Sequence, residues 1–213
     1  VVEQAKKTGL NVYYDIDDLI FDYERISYLH FLTGSEYKDF KKTTEQIHSC
    51  MELCDGYFTS TDTLAGEIRR EFPGKPVVIN RNCASMEMQI LSHDAVEQVE
   101  KDPEHIFIGY FSGSKTHDQD FEVAEEALLE VMKEHPEVRL KLVGVLSDRK
   151  MEKFGNKVEK LPFMDWKQLP SVMAGIDINL MPLEDSIFHC SKSENKWMEA
   201  ALVKVPSVMS RNR

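Results

Sequence analysis

Ile176-Asp177-Ile178-Asn179-Leu180-Met181-Pro182, then Phe188 through Leu202, then Pro206-Ser207-Val208-Met209-Ser210 is the passage that decides how this chain folds. The outer segments are short apolar runs and read as buried strands. The segment between them is long enough for a helix. Strand, helix and strand in that order specify a parallel pair joined by a right-handed crossover. Ser191, with Glu194 three residues on, has capping-box spacing and predicts a helix starting at Lys192. On that helix Lys192, Lys196 and Glu199 fall at i, i+4 and i+7 and share one face.

A helix that opens at the carboxyl end of a parallel strand presents free N–H groups and the positive end of its dipole, which suits an anion such as a diphosphate. At ~1.5 Å rise per residue, Glu199 stands about 10 Å from the helix start, the distance of a ribose from its diphosphate. Ser191, Lys192, Ser193, Lys196 and Glu199 are therefore candidate ligands of a sugar nucleotide. Two lysines and a glutamate on a solvated helix face would have the same spacing.

Outward from this passage, short apolar runs alternate with longer segments of 3.6 period. Asn11–Tyr14, Tyr57–Thr59 and Pro76–Asn80 read as strands. A helix is predicted from about Tyr37 to Leu53, and Leu64, Ile68 and Phe72 mark another, capped by Ser60 or Thr61. Ser85 to about Lys101 is a polar helix or linker, broken at Asp102-Pro103. The pattern restarts with strand Ile106–Phe111, helix Phe121–His135 and strand Arg139–Val143. A short strand near Val158–Leu161 follows, then a helix from Trp166 to Ala174 behind an Asp165/Gln168 capping box. This is an α/β chain of two Rossmann-like, doubly wound parallel-sheet units. The expected division is 1–95, an incomplete first unit, and 96–213, a second unit cut short at its C-terminus. Both ends read as cut from something longer.

The 213 residues are 42% hydrophobic and 30% charged, ample for a core, and the net charge of −11 argues against a nucleic-acid phosphate track. The four cysteines, Cys50, Cys54, Cys83 and Cys190, form no CxxC pair and suit a reducing, cytoplasmic setting. Cys50 and Cys54 near His48 imitate half a metal site, but small buried thiols explain them more simply. No apolar run approaches the ~20 residues of a membrane span, and no signal peptide is visible.

Three loops fall at carboxyl ends of predicted strands, where open α/β sheets bind ligands. In Gly109–Asp118, residues Gly113, Ser114, Lys115 and His117 could approach a phosphate, although the loop is neither a GxGxxG nor a P-loop. Gly144 is small enough to admit a base or ribose. The third loop is the one that leads into the Ser191 helix. Asp15, Asp17 and Asp18 form a separate carboxylate cluster after the first strand. It could hold a divalent metal, or serve as the Asp-x-Asp of a metal-dependent phosphatase with Asp15 as nucleophile and Asp17 as acid/base. The phosphatase pattern places a small or hydroxyl residue where Asp18 stands. Aspartates capping a helix would look the same. No Ser/His/Asp or Cys/His nucleophile signature is present. His30, His117 and His189 lie near the loops.

In order, YDIDDLIFD, CDGYFTSTDTLAGEI, VVINRN, IGYFSGSKTHDQDF, LPFMDW, INLMPLED and KSENKWMEAALVKVPSVMS resemble group 1 (family four) glycosyltransferases of the GT-B fold, above all those of bacterial polysaccharide and O-antigen assembly. The resemblance implies two Rossmann-like domains facing across a cleft, with the nucleotide-sugar donor on the C-terminal one. It implies retaining transfer, without metal or other cofactor, to a glycan or lipid-linked acceptor, and leaves peripheral membrane association open to the full-length protein. Asp15, Asp17 and Asp18 then belong to an acceptor-side loop. Glu199 matches the second glutamate of the family's Glu-x7-Glu motif, implied to bond the ribose hydroxyls. The first falls at Ser191, a departure from the pattern. Lys192 or Lys196 is implied to hold the diphosphate, and Lys115 lies where relatives carry a basic phosphate ligand. The family's N-terminal glycine-rich acceptor loop has no counterpart here. Two other readings stand beside this one: a non-catalytic nucleotide-sugar-binding half that needs a partner domain, and the phosphatase.

Overall fold

The computed structural model describes residues 1–26, 34–113, 118–146 and 149–211. Contacts divide the chain into two compact units, Val1–Asn82 with Asp185–Ser193, and Cys83–Glu184 with the stretch from Glu194 onward.

The first unit runs α1 (Val2–Lys7), β1 (Tyr13–Asp15), α2 (Tyr23–Ile26), α3 (Gly34–Leu53), β2 (Gly56–Thr59), α4 (Asp62–Glu71) and β3 (Val77–Ile79). Its strands are all parallel, in the order β1-β2-β3. The stripe of Leu64, Ile68 and Phe72 packs with Met51 of α3, Tyr57 of β2 and Leu19 and Phe21 into one core. Thr61 caps α4: its hydroxyl accepts from the Leu64 amide at 3.2 Å and donates to the Ser191 carbonyl at 2.9 Å. Glu67 on α4 accepts from both Arg25 of α2 and Arg70, tying these helices together by charge. The chain returns to this unit as α8 (Ile187–Cys190), whose Phe188 joins the core.

The second unit runs α5 (Met86–Gln98), β4 (Ile106–Ser112), α6 (Asp118–Glu134), β5 (Val138–Gly144), a 3₁₀ segment (Arg149–Lys157), β6 (Val158–Leu161), α7 (Leu169–Ala174), β7 (Ile178–Met181), α9 (Asn195–Leu202) and β8 (Ser207–Met209). All five strands are parallel, in the order β6-β5-β4-β7-β8. The order reverses between β4 and β7, the switch point at which doubly wound sheets form a crevice. Both faces are covered, which a parallel sheet requires. Phe111 and Val143 pack toward α5, α7 and α9, while Tyr110, Leu140 and Leu142 pack toward α6 and Met151.

Three expectations change. The contact division falls at 82/83 instead of 95/96, because α5, started by the Ser85 cap, buries Ala95 against α7 and α9. Asp165 and Gln168 form no capping box. Asp165 Oδ1 accepts from the Lys167 amide at 2.9 Å and closes a turn, while α7 begins only at Leu169, with Pro170 in its first turn. The helix expected from Lys192 is replaced by α8 and α9, with a break between them. The Ser191 hydroxyl donates backward to the Ile187 carbonyl at 2.7 Å, closing α8 and leaving nothing to open a helix at Lys192.

Candidate functional site

At the carboxyl edge of the second sheet lies a pocket of about 480 Å³. Its lining comes from three places. The ends of β4 and β5 supply Phe111, Ser112, Gly113, Val143 and Gly144. The loop from β6 to α7 supplies Phe163, Met164, Asp165, Trp166 and, at the head of α7, Leu169. The first two turns of α9 supply Asn195, Lys196 and Glu199.

Each wall is fixed by the sequence around it. Ser112 and Gly144 are register partners, and Gly144 adopts φ +99°, a left-handed conformation open to glycine. The Ser112 hydroxyl donates to the Val145 carbonyl at 2.7 Å, so the two strand ends are bonded beyond the ladder. On the opposite wall, buried Asn179 of β7 donates to the Lys196 carbonyl at 3.5 Å and to the Ser207 hydroxyl at 3.1 Å, anchoring the start of α9 to β7 and β8. Glu194, the N-cap of α9, makes no side-chain cap bond to the helix, and the first turn of α9 borders the pocket. The Lys196 ammonium stands 5.6 Å above the Tyr110 ring.

Glu199 is half-buried, one turn further along α9. Burial pushes its carboxyl above the ordinary value, and the nearby Lys196 charge pulls it partly back. A desolvated carboxylate in a largely apolar pocket is a strong acceptor for hydroxyl groups that enter with a ligand.

Of the residues singled out in the sequence, Gly113, Gly144, Lys196 and Glu199 meet in this pocket. Ser191, Lys192 and Ser193 do not line it. Ser191 is 0% exposed in the first unit. Lys192 pairs with Asp18 at 3.5 Å and lies 4.4 Å above the Phe188 ring. Ser193 accepts from the Asn82 side chain at 2.9 Å. The expected common face of Lys192, Lys196 and Glu199 therefore does not exist, because Lys192 falls in the break between the helices. Ser114, Lys115 and His117 lie outside the described residues, as does His30.

Asp15 ends β1 and is exposed, as is Asp17. Among the described residues, no group of three or more His, Cys, Asp or Glu side chains is placed to hold a metal ion. The Asp15–Asp18 cluster therefore does not converge on one point. His189, buried on α8, bonds to the Ser186 hydroxyl at 2.7 Å through Nδ1.

The sequence reading missed the loop Phe163–Trp166 and Asn195. The rule that ligands lie beyond strand carboxyl ends, applied to β6 as it was to β4 and β5, would have found that loop.

Two parallel-sheet units, the second with a switch point, are a fold that this chain shares with solved structures of GT-B glycosyltransferases. WaaG, a glycosyltransferase involved in lipopolysaccharide biosynthesis, matches at TM-score 0.62 and 16% identity over 97% of this chain and 61% of its own. Sucrose-phosphate synthase from Thermosynechococcus elongatus matches at TM-score 0.62 and 15% identity over 99% of this chain and 53% of its own. A mutant of S. aureus TarM, solved with fondaparinux, alpha-GlcNAc-glycerol and UDP, matches at TM-score 0.57 and 12% identity, over 94% and 37%. The chain thus spans less than two thirds of each of these proteins, and the likeness is one of fold. No family model matches the sequence, and no curated protein sequence matches it. Among the described residues, no helix is long and apolar enough to cross a membrane.

Proposed function

We propose that the pocket of the second unit takes the nucleoside diphosphate of a nucleotide-sugar donor. In this reading the chain is the core of a glycosyltransferase that passes the sugar to a glycan or lipid-linked acceptor, with retention and without a bound metal. The observation that carries the reading is the meeting, in one pocket at a sheet switch point, of the α9 start, Lys196 and Glu199. The α9 amides and the Lys196 ammonium would receive the diphosphate. Glu199, a turn further on, would accept from the ribose hydroxyls. Gly113 and Gly144 leave the backbone open to the phosphates and ribose, and Phe163 and Trp166 form a wall for the base. Charge builds on the departing diphosphate as the glycosidic bond breaks, so a fixed dipole and cation there would lower the barrier. UDP in the TarM complex is consistent with this class of donor.

Calorimetric titration of UDP and GDP against the wild type and Glu199→Ala tests the site. Nucleotide binding that weakens at least tenfold in the variant supports it, and unchanged affinity removes Glu199 from it. One observation favours a second reading, a nucleotide-binding half without transfer chemistry. The position of the family's first glutamate holds Ser191, buried and bonded to backbone on both sides. Nucleotide binding with neither transfer nor donor hydrolysis would support that reading.

A further inference from the structure

We propose that the pocket selects a guanine nucleotide, its base stacked against Phe163 and Trp166 and its Watson–Crick edge read by the Asp165 carboxylate. The inference rests on the nucleotide reading given above.

The loop between β6 and α7 puts two large aromatic side chains into the lining while leaving them 66% and 42% exposed. Unburied aromatic rings in a pocket wall offer stacking to any base. Between them stands Asp165, whose Oδ1 accepts from the Lys167 amide at 2.9 Å. That bond holds the carboxylate in place and leaves most of its acceptor sites open. The Lys167 ammonium feels the Asp165 charge, but its ion pair is made elsewhere. It pairs with Glu87 at 2.7 Å and lies 5.5 Å above the Trp166 ring.

The pocket therefore separates its charges. Lys196 and the α9 start suit the phosphates, Glu199 suits the sugar hydroxyls, and the Asp165 carboxylate stands on the same pocket-lining loop as Phe163 and Trp166. A carboxylate offers only acceptors. Guanine places two donors side by side, N1–H and the N2 amino group, and satisfies both oxygens at once. Uracil flanks its single N3–H with two carbonyl oxygens that repel a carboxylate. Adenine pairs its amino group with the N1 lone pair. Of these bases, guanine alone gains from Asp165.

Titration of GDP, IDP, UDP, ADP and XDP into the chain, followed by calorimetry and by melting temperature, tests the assignment without any variant. GDP should bind about 10- to 100-fold tighter than UDP or ADP, the discrimination typical of one good bidentate base contact. IDP, lacking the N2 amino group, should fall between. Asp165→Asn keeps an oxygen for the Lys167 amide but presents an amide donor to the base. It should lose the preference for GDP and gain affinity for XDP, whose O2 accepts where guanine donates. Phe163→Ala should weaken all five nucleotides alike. UDP or ADP binding as tightly as GDP overturns the guanine assignment, and so does a GDP-to-XDP ratio unmoved by Asp165→Asn. Glu199-dependent binding without base preference would sink this inference alone, whereas no binding by any of the five would sink the nucleotide reading with it.

Discussion

A Cβ atom on residue 144 would lie 1.8 Å from the carbonyl oxygen of Ser112, its register partner across the ends of β4 and β5. The obstacle is backbone, which cannot turn aside as a flexible side chain would. Gly144→Ala therefore meets both a clash and a left-handed φ of +99°. Together these should cost about 2–5 kcal/mol, from backbone strain and overpacking. Urea unfolding would read the loss. The two strand ends must part to relieve the clash, so nucleotide affinity should fall even where the variant stays folded.

Glu199 couples stability to pH in a direction opposite to that of most carboxylates. Below the ordinary 4.5, folded and unfolded chains both carry the proton. As pH rises through that value the unfolded chain releases its proton first, and the folded state loses stability until its own raised pKa is passed. Glu199→Gln escapes this loss. Its melting temperature should exceed that of the wild type near pH 7 and converge with it at about pH 4. The same variant should bind nucleotide roughly 10- to 100-fold more weakly, since a hydrogen bond to a charged acceptor is replaced by one to a neutral amide. A gain in stability together with a loss of binding marks a group kept for its ligand.

Charge also holds the first unit together. Glu67 is almost buried and accepts from Arg25 at 2.6 and 2.9 Å and from Arg70 at 3.0 Å, while Arg70 reaches Asp22 at 2.6 Å. Burial of the acceptor favours these bonds, and partial exposure of both arginines weakens them. Glu67→Ala should cost about 1–3 kcal/mol in urea unfolding, the range of hydrogen bonds to charged groups.

Periodicity carries the fold further than the site. Leu64, Ile68 and Phe72 show a helical stripe because one face of α4 must be apolar, and Tyr57–Thr59 reads as a strand because it is covered. The Ser85–Lys101 segment is ambiguous in sequence because its buried positions are the small residues Ser92 and Ala95, which leave almost no apolar stripe. Gly144 and Glu199 are legible because a small residue after a strand and an acid on a helix face are local signals. The break between α8 and α9 is not. There the Ser191 hydroxyl closes α8 locally, while the Ser191 carbonyl accepts from Thr61, 130 positions away in sequence, a contact no local pattern announces. Phe163, Asp165 and Trp166 stand out in the sequence only as part of a resembling segment and of an expected cap, because a pocket wall has no period and only the placement of β6 in the sheet brings them to the pocket.

Ser191 is the sharpest test of what the structure adds to the motif. Its carbonyl accepts from Thr61, its hydroxyl closes α8 and it is 0% exposed. Ser191→Glu, which places there the acid that the sequence resemblance implies, would force a carboxylate into a site already filled and fully paired. That should cost about 3–5 kcal/mol, the range seen for an uncompensated buried charge, and should install no donor contact. Ser191→Ala removes one hydrogen bond from an accepting carbonyl and should cost about 1 kcal/mol. Nucleotide affinity should not change in Ser191→Ala, because residue 191 does not line the pocket. A Ser191→Glu protein that melts as the wild type does and binds a nucleotide sugar more tightly would show that α8 opens in solution and that the motif, not the observed packing, describes the working site.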